Sequence, residues 1–597
     1  MILHPPNKAE AIAYVDGKGK FPGRYATVGF YGASENPPVY MHYKVGPLEV
    51  DDEDIKIVPM LGKDEVPYNK RPYDPAEAKE IIIFTLKQLE EMPNLLEDSF
   101  DNAKPFEDLT VMPNGPYTDK DGRRLSRITI GMRGLGDKDF DFFNILPLTL
   151  KLYHGGQNVS EWYTFDYYYL NQGPFTNATY LNAAFYWGMI DKVQIPKGSR
   201  QTIKELTFPR RDVYKPLRKN AELPSAKTYE PHGPRYTVSG HTVSWMGWTF
   251  SVITNQLRGP SVYNVKFKGE RIVYENSLNE IVLVYSADGA GQDNMVYIDS
   301  MYGIGDIKRV IPGVDCPEYA TLLNITKWDP YTSESIIVPG ICIFEADGQE
   351  ALWRHAGNTF TTGLSNKYLI ARIPATVGNY DYIFDFSFHL DGKMQNLVTA
   401  TGFIQGSFWN PLSSYFGNTT SESAFGYKVS STAIGLIHDH TFGFKVDLDV
   451  IDEKNNFNLI HWKYGSINDL NMKLKINDSS YFIYNHTRYI ELERLKKETG
   501  LKVDLINQKL WIVVNDKHKN SWGAPRGYRI VPMATGAQNL ENDFPFMKDI
   551  SFTNYHCAIT KRKENELYVR PVHELVRDSD PNKPKRYLEG HDRWGGY

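Results

Sequence analysis

The chain has 597 residues, with 67 Lys and Arg against 72 Asp and Glu and a formal net charge of -5. This near-balance argues against a nucleic-acid binder, which shows a basic excess or stripe. With 41% apolar and 23% charged residues there is no compositional mark of disorder, and no apolar run approaches the roughly 18 residues that a membrane-crossing helix needs.

At this length the sequence predicts several domains, or one very large β domain with smaller ones attached. The opening Met1-Ile-Leu-His-Pro-Pro has neither the charged n-region nor the apolar h-region of a signal peptide. A strand is expected from Arg24 to Tyr31. One helix is well signalled: Asp74 can cap, Pro75 suits the first helical position, and Ile81, Ile82, Leu86 and Leu89 form an apolar stripe that Pro93 stops. From Arg127 to about Asp191 short aromatic-rich strands alternate with Asn/Gly turns. Residues 201–230 read as a Pro- and Lys/Arg-rich linker. From Tyr236 onward alternating strands dominate, with a helix expected near Ile490 to Thr499, ended by Gly500. The expected fold class is mainly β: small α+β domains over 1–60 and 61–200, then a large antiparallel β-sandwich over 231–597.

Three cysteines, Cys316, Cys342 and Cys557, are too few for a disulfide framework. A bridge between Cys316 and Cys342 would contribute roughly 3 kcal/mol on the loop-entropy argument; two buried free thiols are the other reading. Asn-x-Ser/Thr sequons at Asn158, Asn177, Asn324, Asn418, Asn477 and Asn485 favour an extracellular setting.

Three segments carry chemistry. In Leu436 to Val450 the even positions (His438, His440, Phe442, Phe444, Val446, Leu448, Val450) share one strand face, and Asp439, Thr441, Lys445, Asp447 and Asp449 share the other. Two imidazoles on an apolar face either ligate a metal such as copper or sit at a wet strand end. Asp447 and Asp449 form either a site for a hard cation such as calcium or a solvated acidic edge. In Thr376 to Gly392, Tyr380, Tyr382, Phe384, Phe386, Phe388 and Leu390 face inward while Asp381, Asp385 and Asp391 face outward. In the third segment Tyr285 precedes Tyr297 and Asp299, which are two apart and therefore on one face. Asp299, at a strand end among apolar residues, is either a general base with a raised pKa or a plain turn residue.

Taken in order, these segments closely resemble the copper-containing amine oxidases that use a topaquinone cofactor, especially the animal extracellular members. Thr376-x-x-Asn379-Tyr380-Asp381-Tyr382 is similar to the family motif whose first tyrosine becomes the quinone, which implies Tyr380 as the topaquinone precursor with Asn379 beside it. His438-x-His440 resembles the copper pair, and Asp447 and Asp449 the neighbouring calcium carboxylates. Asp299 matches the catalytic base, Tyr297 the residue gating access, and Tyr285 the tyrosine hydrogen-bonding the quinone. The resemblance also implies a Cys316–Cys342 disulfide, a secreted homodimer, and a primary amine and O2 as substrates. It implies ping-pong covalent catalysis, in which the amine is held as a Schiff base while Asp299 takes its α-proton. Aldehyde, ammonia and hydrogen peroxide are the products.

The sequence departs from that family in three places. It enters partway through the first small domain, so that 1–60 reads as a partial domain. The resemblance ends near Leu567, before the strands that deliver a third copper histidine; only His573 and His591 follow, without matching context. Met301 stands where the family usually has glycine and is expected to crowd the substrate channel. The alternative to an active oxidase is a copper-poor secreted pseudoenzyme with a structural or matrix role.

Overall fold

The computed structural model describes residues 2–578 apart from 51–53, 61–64, 134–141, 143, 200–226, 287–294, 330, 331, 333, 412–423, 466–486, 535, 537–539, 541–549 and 565–576. Most of the expected 201–230 linker, and His573 and His591, therefore lie outside the described residues.

The expected strand runs from Tyr25 to Gly32 and pairs antiparallel with Val39–Gly46 in a small sheet. Ahead of it the Lys8–Val15 helix is capped by the Asn7 side chain, which accepts from the Ala9 N–H. The helix signalled around Asp74 spans Pro75–Leu89, with the Asp74 carboxylate accepting from the Glu77 N–H at 2.9 Å. Its stripe of Ile81, Leu86 and Leu89 is buried against a sheet that includes Leu109–Thr118, Arg124–Met132, Ile145–Tyr153 and Tyr163–Tyr169. A charged pin crosses this interface. Glu77 accepts from Arg71, Arg124 and His154 at 3.0, 2.7 and 2.7 Å, with all four residues buried.

Two antiparallel sheets form the larger part. One holds the strands Trp248–Asn255, Gly259–Phe267, Glu270–Tyr285 and Val296–Ile298, with His438–Leu448 also paired to Glu270–Tyr285. The other runs Thr321–Asp329, Glu334–Ala356, Thr361–Val377, Tyr380–His389 and Met394–Gly402. Between them lie Trp245, Trp248, Phe250, Tyr382, Phe384, Phe386 and Phe388, all 2% exposed or less. Each buried aromatic of this kind is worth about 1.5–3 kcal/mol against leaving it in water, an upper estimate because the unfolded chain is not fully extended. The Glu270–Tyr285 strand is buried on both faces: Ile281, Leu283 and Tyr285 enter this core, while Val282 and Val284 enter a second cluster with Val296, Ile298, Ile550 and Phe552.

Four expectations need correction. Ile490 to Thr499 is not a helix; Thr487–Arg494 is a strand that pairs with Asn456–Gly465. The spacing of Ile490, Leu492 and Leu495 fits either period over so short a run, and cross-strand partners Trp462 and Ile460 decide it. Gly500 lies within the short Thr499–Leu501 strand, paired with Cys557–Ile559. Asp385 points away from the aromatic core as expected but is not in water: it is 5% exposed and clamped by Arg372 at 2.7 Å through two hydrogen bonds. Val446, on the expected buried face, is 41% exposed, although Phe442, Phe444 and Leu448 on that face pack against the main core. The Cys316–Cys342 bridge is formed.

Candidate active site

Tyr380 begins the Tyr380–His389 strand, immediately after the turn Gly378-Asn379, and its hydroxyl is fully used. The His438 Nδ1–H donates to the Leu436 carbonyl at 2.8 Å, which leaves Nε2 as an acceptor for the Tyr380 O–H at 2.9 Å. The Tyr380 oxygen in turn accepts from the Tyr285 hydroxyl at 3.0 Å and the Gln405 N–H at 3.1 Å. Burial raises the Tyr380 phenol above its ordinary pKa, and burial together with the neighbouring Tyr380 raises Tyr285 well above it. Asn379 donates to the Phe403 carbonyl at 2.5 Å, and Asp381 accepts from Thr376 Oγ1 at 2.6 Å, so both sides of the turn are tied down.

His438 and His440 lie side by side with ring centroids 4.7 Å apart, one face of one strand, as the spacing implied. Tyr285 stacks on His438 at 4.5 Å, and the Tyr382 hydroxyl lies 3.0 Å from His440 Nδ1. Burial lowers both imidazole pKa values, His440 to about 4 with help from His438, so both rings are neutral near pH 7. Neutral imidazole is the metal-ligating form.

Asp299 follows the Val296–Ile298 strand at the head of a short turn closed by Gly303, whose φ of 84° is left-handed and suits glycine. It is 3% exposed and its Oδ2 has no hydrogen-bond partner. Burial raises its carboxyl well above the usual carboxylate range, the Glu280 carboxylate adds to that, and the Tyr382 hydroxyl opposes it. Tyr297 packs edge-on against Tyr285 at 5.8 Å and donates to Met295 Sδ at 3.5 Å. Met301 packs against the cluster of Tyr117, Leu125 and Phe552.

Sequence reasoning missed Tyr382 as a site residue, placing it only as core. Its position two after Tyr380 puts both on one face, and that spacing was the available signal. The backbone N–H of Gln405 carried no signal, because the contact comes from the chain's return after the Met394–Gly402 strand.

Three comparisons bear on the identity of this site. The copper amine oxidase enzyme-domain model matches residues 237–590, more than half of the chain. The chain belongs to the copper amine oxidase family. It is 28% identical to the mouse protein "Amine oxidase [copper-containing] 2" over 96% of this chain and 72% of that protein, and 27% identical to human "Diamine oxidase [copper-containing]" over 98% and 77%. The solved structure of Pichia pastoris lysyl oxidase superposes with a TM-score of 0.83 at 28% identity, covering 97% of this chain and 78% of that one. Aspergillus nidulans amine oxidase gives 0.81 at 24%, covering 99% and 77%. The mouse and human relatives are copper-containing amine oxidases, and the fold of the two solved structures is this chain's fold.

The described residues fit two copper donors, since His438 has its tautomer set so that Nε2 is the available donor, and a phenol lies 2.9 Å from that nitrogen. Among the described residues no group of three or more His, Cys, Asp or Glu side chains is arranged to hold a metal. Calcium is a different case. Lys8 Nζ lies 2.9 Å from Asp447 and 2.6 Å from Asp449, Arg562 donates to Asp447 at 2.8 Å, and the adjoining Glu275 is paired with Lys445 and Arg562. Three carboxylates are met by three of the chain's own cations, and these residues do not fit a calcium site as arranged.

Proposed function

We propose that this protein oxidises primary amines with O2 and water to aldehyde, ammonia and hydrogen peroxide, using copper and a topaquinone made from Tyr380. The observation that carries this reading is the placement of the Tyr380 hydroxyl between His438 Nε2 at 2.9 Å and Tyr285 at 3.0 Å. When bound and formed, copper and the quinone supply an electrophilic carbonyl and an electron sink that O2 can regenerate.

The chain's own side chains would supply the rest. His438 and His440 hold the metal. Asp299 takes the α-proton of the bound amine; its buried, raised-pKa carboxyl makes it a stronger base than an exposed aspartate once ionised. Tyr285 fixes the ring oxygen by donating to it, Asn379 braces the turn that carries the ring, and Tyr297 walls the approach beside Tyr285. The buried aromatic surroundings keep bulk water from the proton-transfer step. The same family reading proposes the 1–60, 61–200 and 231–597 division, and a secreted, dimeric setting.

The test is turnover by the copper-loaded protein with benzylamine, a diamine and a lysine-containing peptide. Peroxide and aldehyde in equal amounts, abolished by Y380F, are expected with at least one of them. Copper-replete protein that yields neither product would leave the structural or matrix reading.

A further inference from the structure

The carboxylate of Glu280 lies directly behind Asp299 and plays no part in the mechanism above. Glu280 is on the Glu270–Tyr285 strand, where the pairing with His438–Leu448 slips between Leu278 and Glu280. The slip resets the alternation: Leu278 and Ile281 both enter the main core, although strict alternation would put them on opposite faces. Glu280 is thereby turned to the other side, toward the turn that begins at Asp299. A charged group that is 1% exposed must be paired or it costs several kcal/mol. Here one oxygen accepts from the Ser300 N–H at 3.0 Å and the Ile281 N–H at 3.1 Å. The other accepts from Ser300 Oγ at 2.6 Å and Arg258 Nη1 at 2.9 Å. Arg258 is itself buried and also donates to the Asn279 carbonyl at 3.2 Å.

We propose that Glu280, oriented by Arg258, is a positioning residue that fixes the base Asp299 by gripping Ser300 through both its backbone and its hydroxyl. This rests on the amine-oxidase reading of the site. The residue bonded to Asp299 is held at two points on one rigid strand, so the carboxyl of Asp299 is placed without any bond to its own Oδ2, which stays open for a proton. Because the grip is on its neighbour, no hydrogen bond to that oxygen has to be broken at each turnover. The charged and titratable groups around Asp299 are Glu280, with Arg258 behind it, from one sheet and Tyr380 and Tyr382 from the other, and the Glu280 carboxylate disfavours ionised Asp299.

The experiment compares the full-length, copper-loaded wild type with E280Q and S300A. Phenylhydrazine counts the quinone in each protein, and kcat and kcat/KM are followed across pH per quinone. In E280Q the quinone content stays near wild type, and kcat falls by about 10²-fold, the cost of a misplacement near 1 Å, with KM little changed. The acidic limb of kcat/KM moves to lower pH, because the like charge next to Asp299 is gone; a purely structural defect would not move that limb. S300A, which deletes only the hydroxyl bond, gives a smaller loss of kcat with the limb unmoved, and it decides the matter if E280Q fails to fold. Wild-type kcat per quinone in both variants, or in S300A alone where E280Q does not fold, would overturn the positioning role. Wild-type protein that takes up no phenylhydrazine would instead sink the oxidase reading, and the positioning role with it.

Discussion

Asp299 is 3% exposed and one of its oxygens has no partner, a costly arrangement for a carboxylate unless it ionises only during the reaction. Its raised pKa sets the sign of the pH dependence. The base is inactive while protonated, so activity rises with pH through a limb lying above the ordinary carboxylate range, measurable as kcat/KM against pH. D299N lowers kcat by roughly 10²–10⁴-fold, as expected for a lost general base, and leaves Tyr380 reactive to phenylhydrazine. At this scale the sequence was informative wherever one strand supplied the neighbours. His438 beside His440 follows from two-residue spacing alone. Contacts between strands, such as Tyr380 with Gln405 or Glu280 with Ser300, depend on pairing register and a bulge, and neither is written in local spacing.

The Pro75–Leu89 helix was legible because its cap, its first-turn proline and its apolar stripe are all local signals. Its charged pin was not, since Arg124 opens one strand and His154 follows the end of another, about fifty and eighty residues away. Burial would raise the Glu77 carboxyl, yet Arg124 and His154 outweigh that and hold it near 2, against 4.5 when unfolded. A depressed carboxylate pKa stabilises the fold above the unfolded value, and that stabilisation is lost as pH falls from about 4.5 toward 2. Acid titration followed by far-UV circular dichroism is expected to show this loss, and E77Q, leaving Arg124 buried without its anion, costs about 3–5 kcal/mol in urea unfolding. The Thr487–Arg494 strand is the opposite case: a helix reading of so short a segment fails because its partners, Trp462 and Ile460, are remote in sequence.

At the scale of the whole molecule, the Lys8–Val15 helix is tied to the large sheets by charge. Lys8 grips Asp447 and Asp449, and Asp16 accepts from Lys266 and Arg271 at 2.8 and 2.7 Å. Because Lys8 stands between the two carboxylates, added calcium is expected to leave the melting temperature unchanged. K8M, by stranding buried carboxylates, is expected to cost about 3–5 kcal/mol. A calcium-dependent rise in the wild-type melting temperature would contradict this arrangement. Sequence pattern conveyed the mainly β class, because alternation is local; it was silent on how the elements are clamped together.

The central claim, that Tyr380 becomes a quinone beside copper, is tested most directly by phenylhydrazine treatment of the copper-loaded, air-exposed protein. Visible absorbance would be recorded and the Tyr380 peptide mapped by mass. The account predicts a coloured adduct on Tyr380 that is absent from apoprotein prepared without copper. An unmodified Tyr380 in copper-replete protein would contradict it.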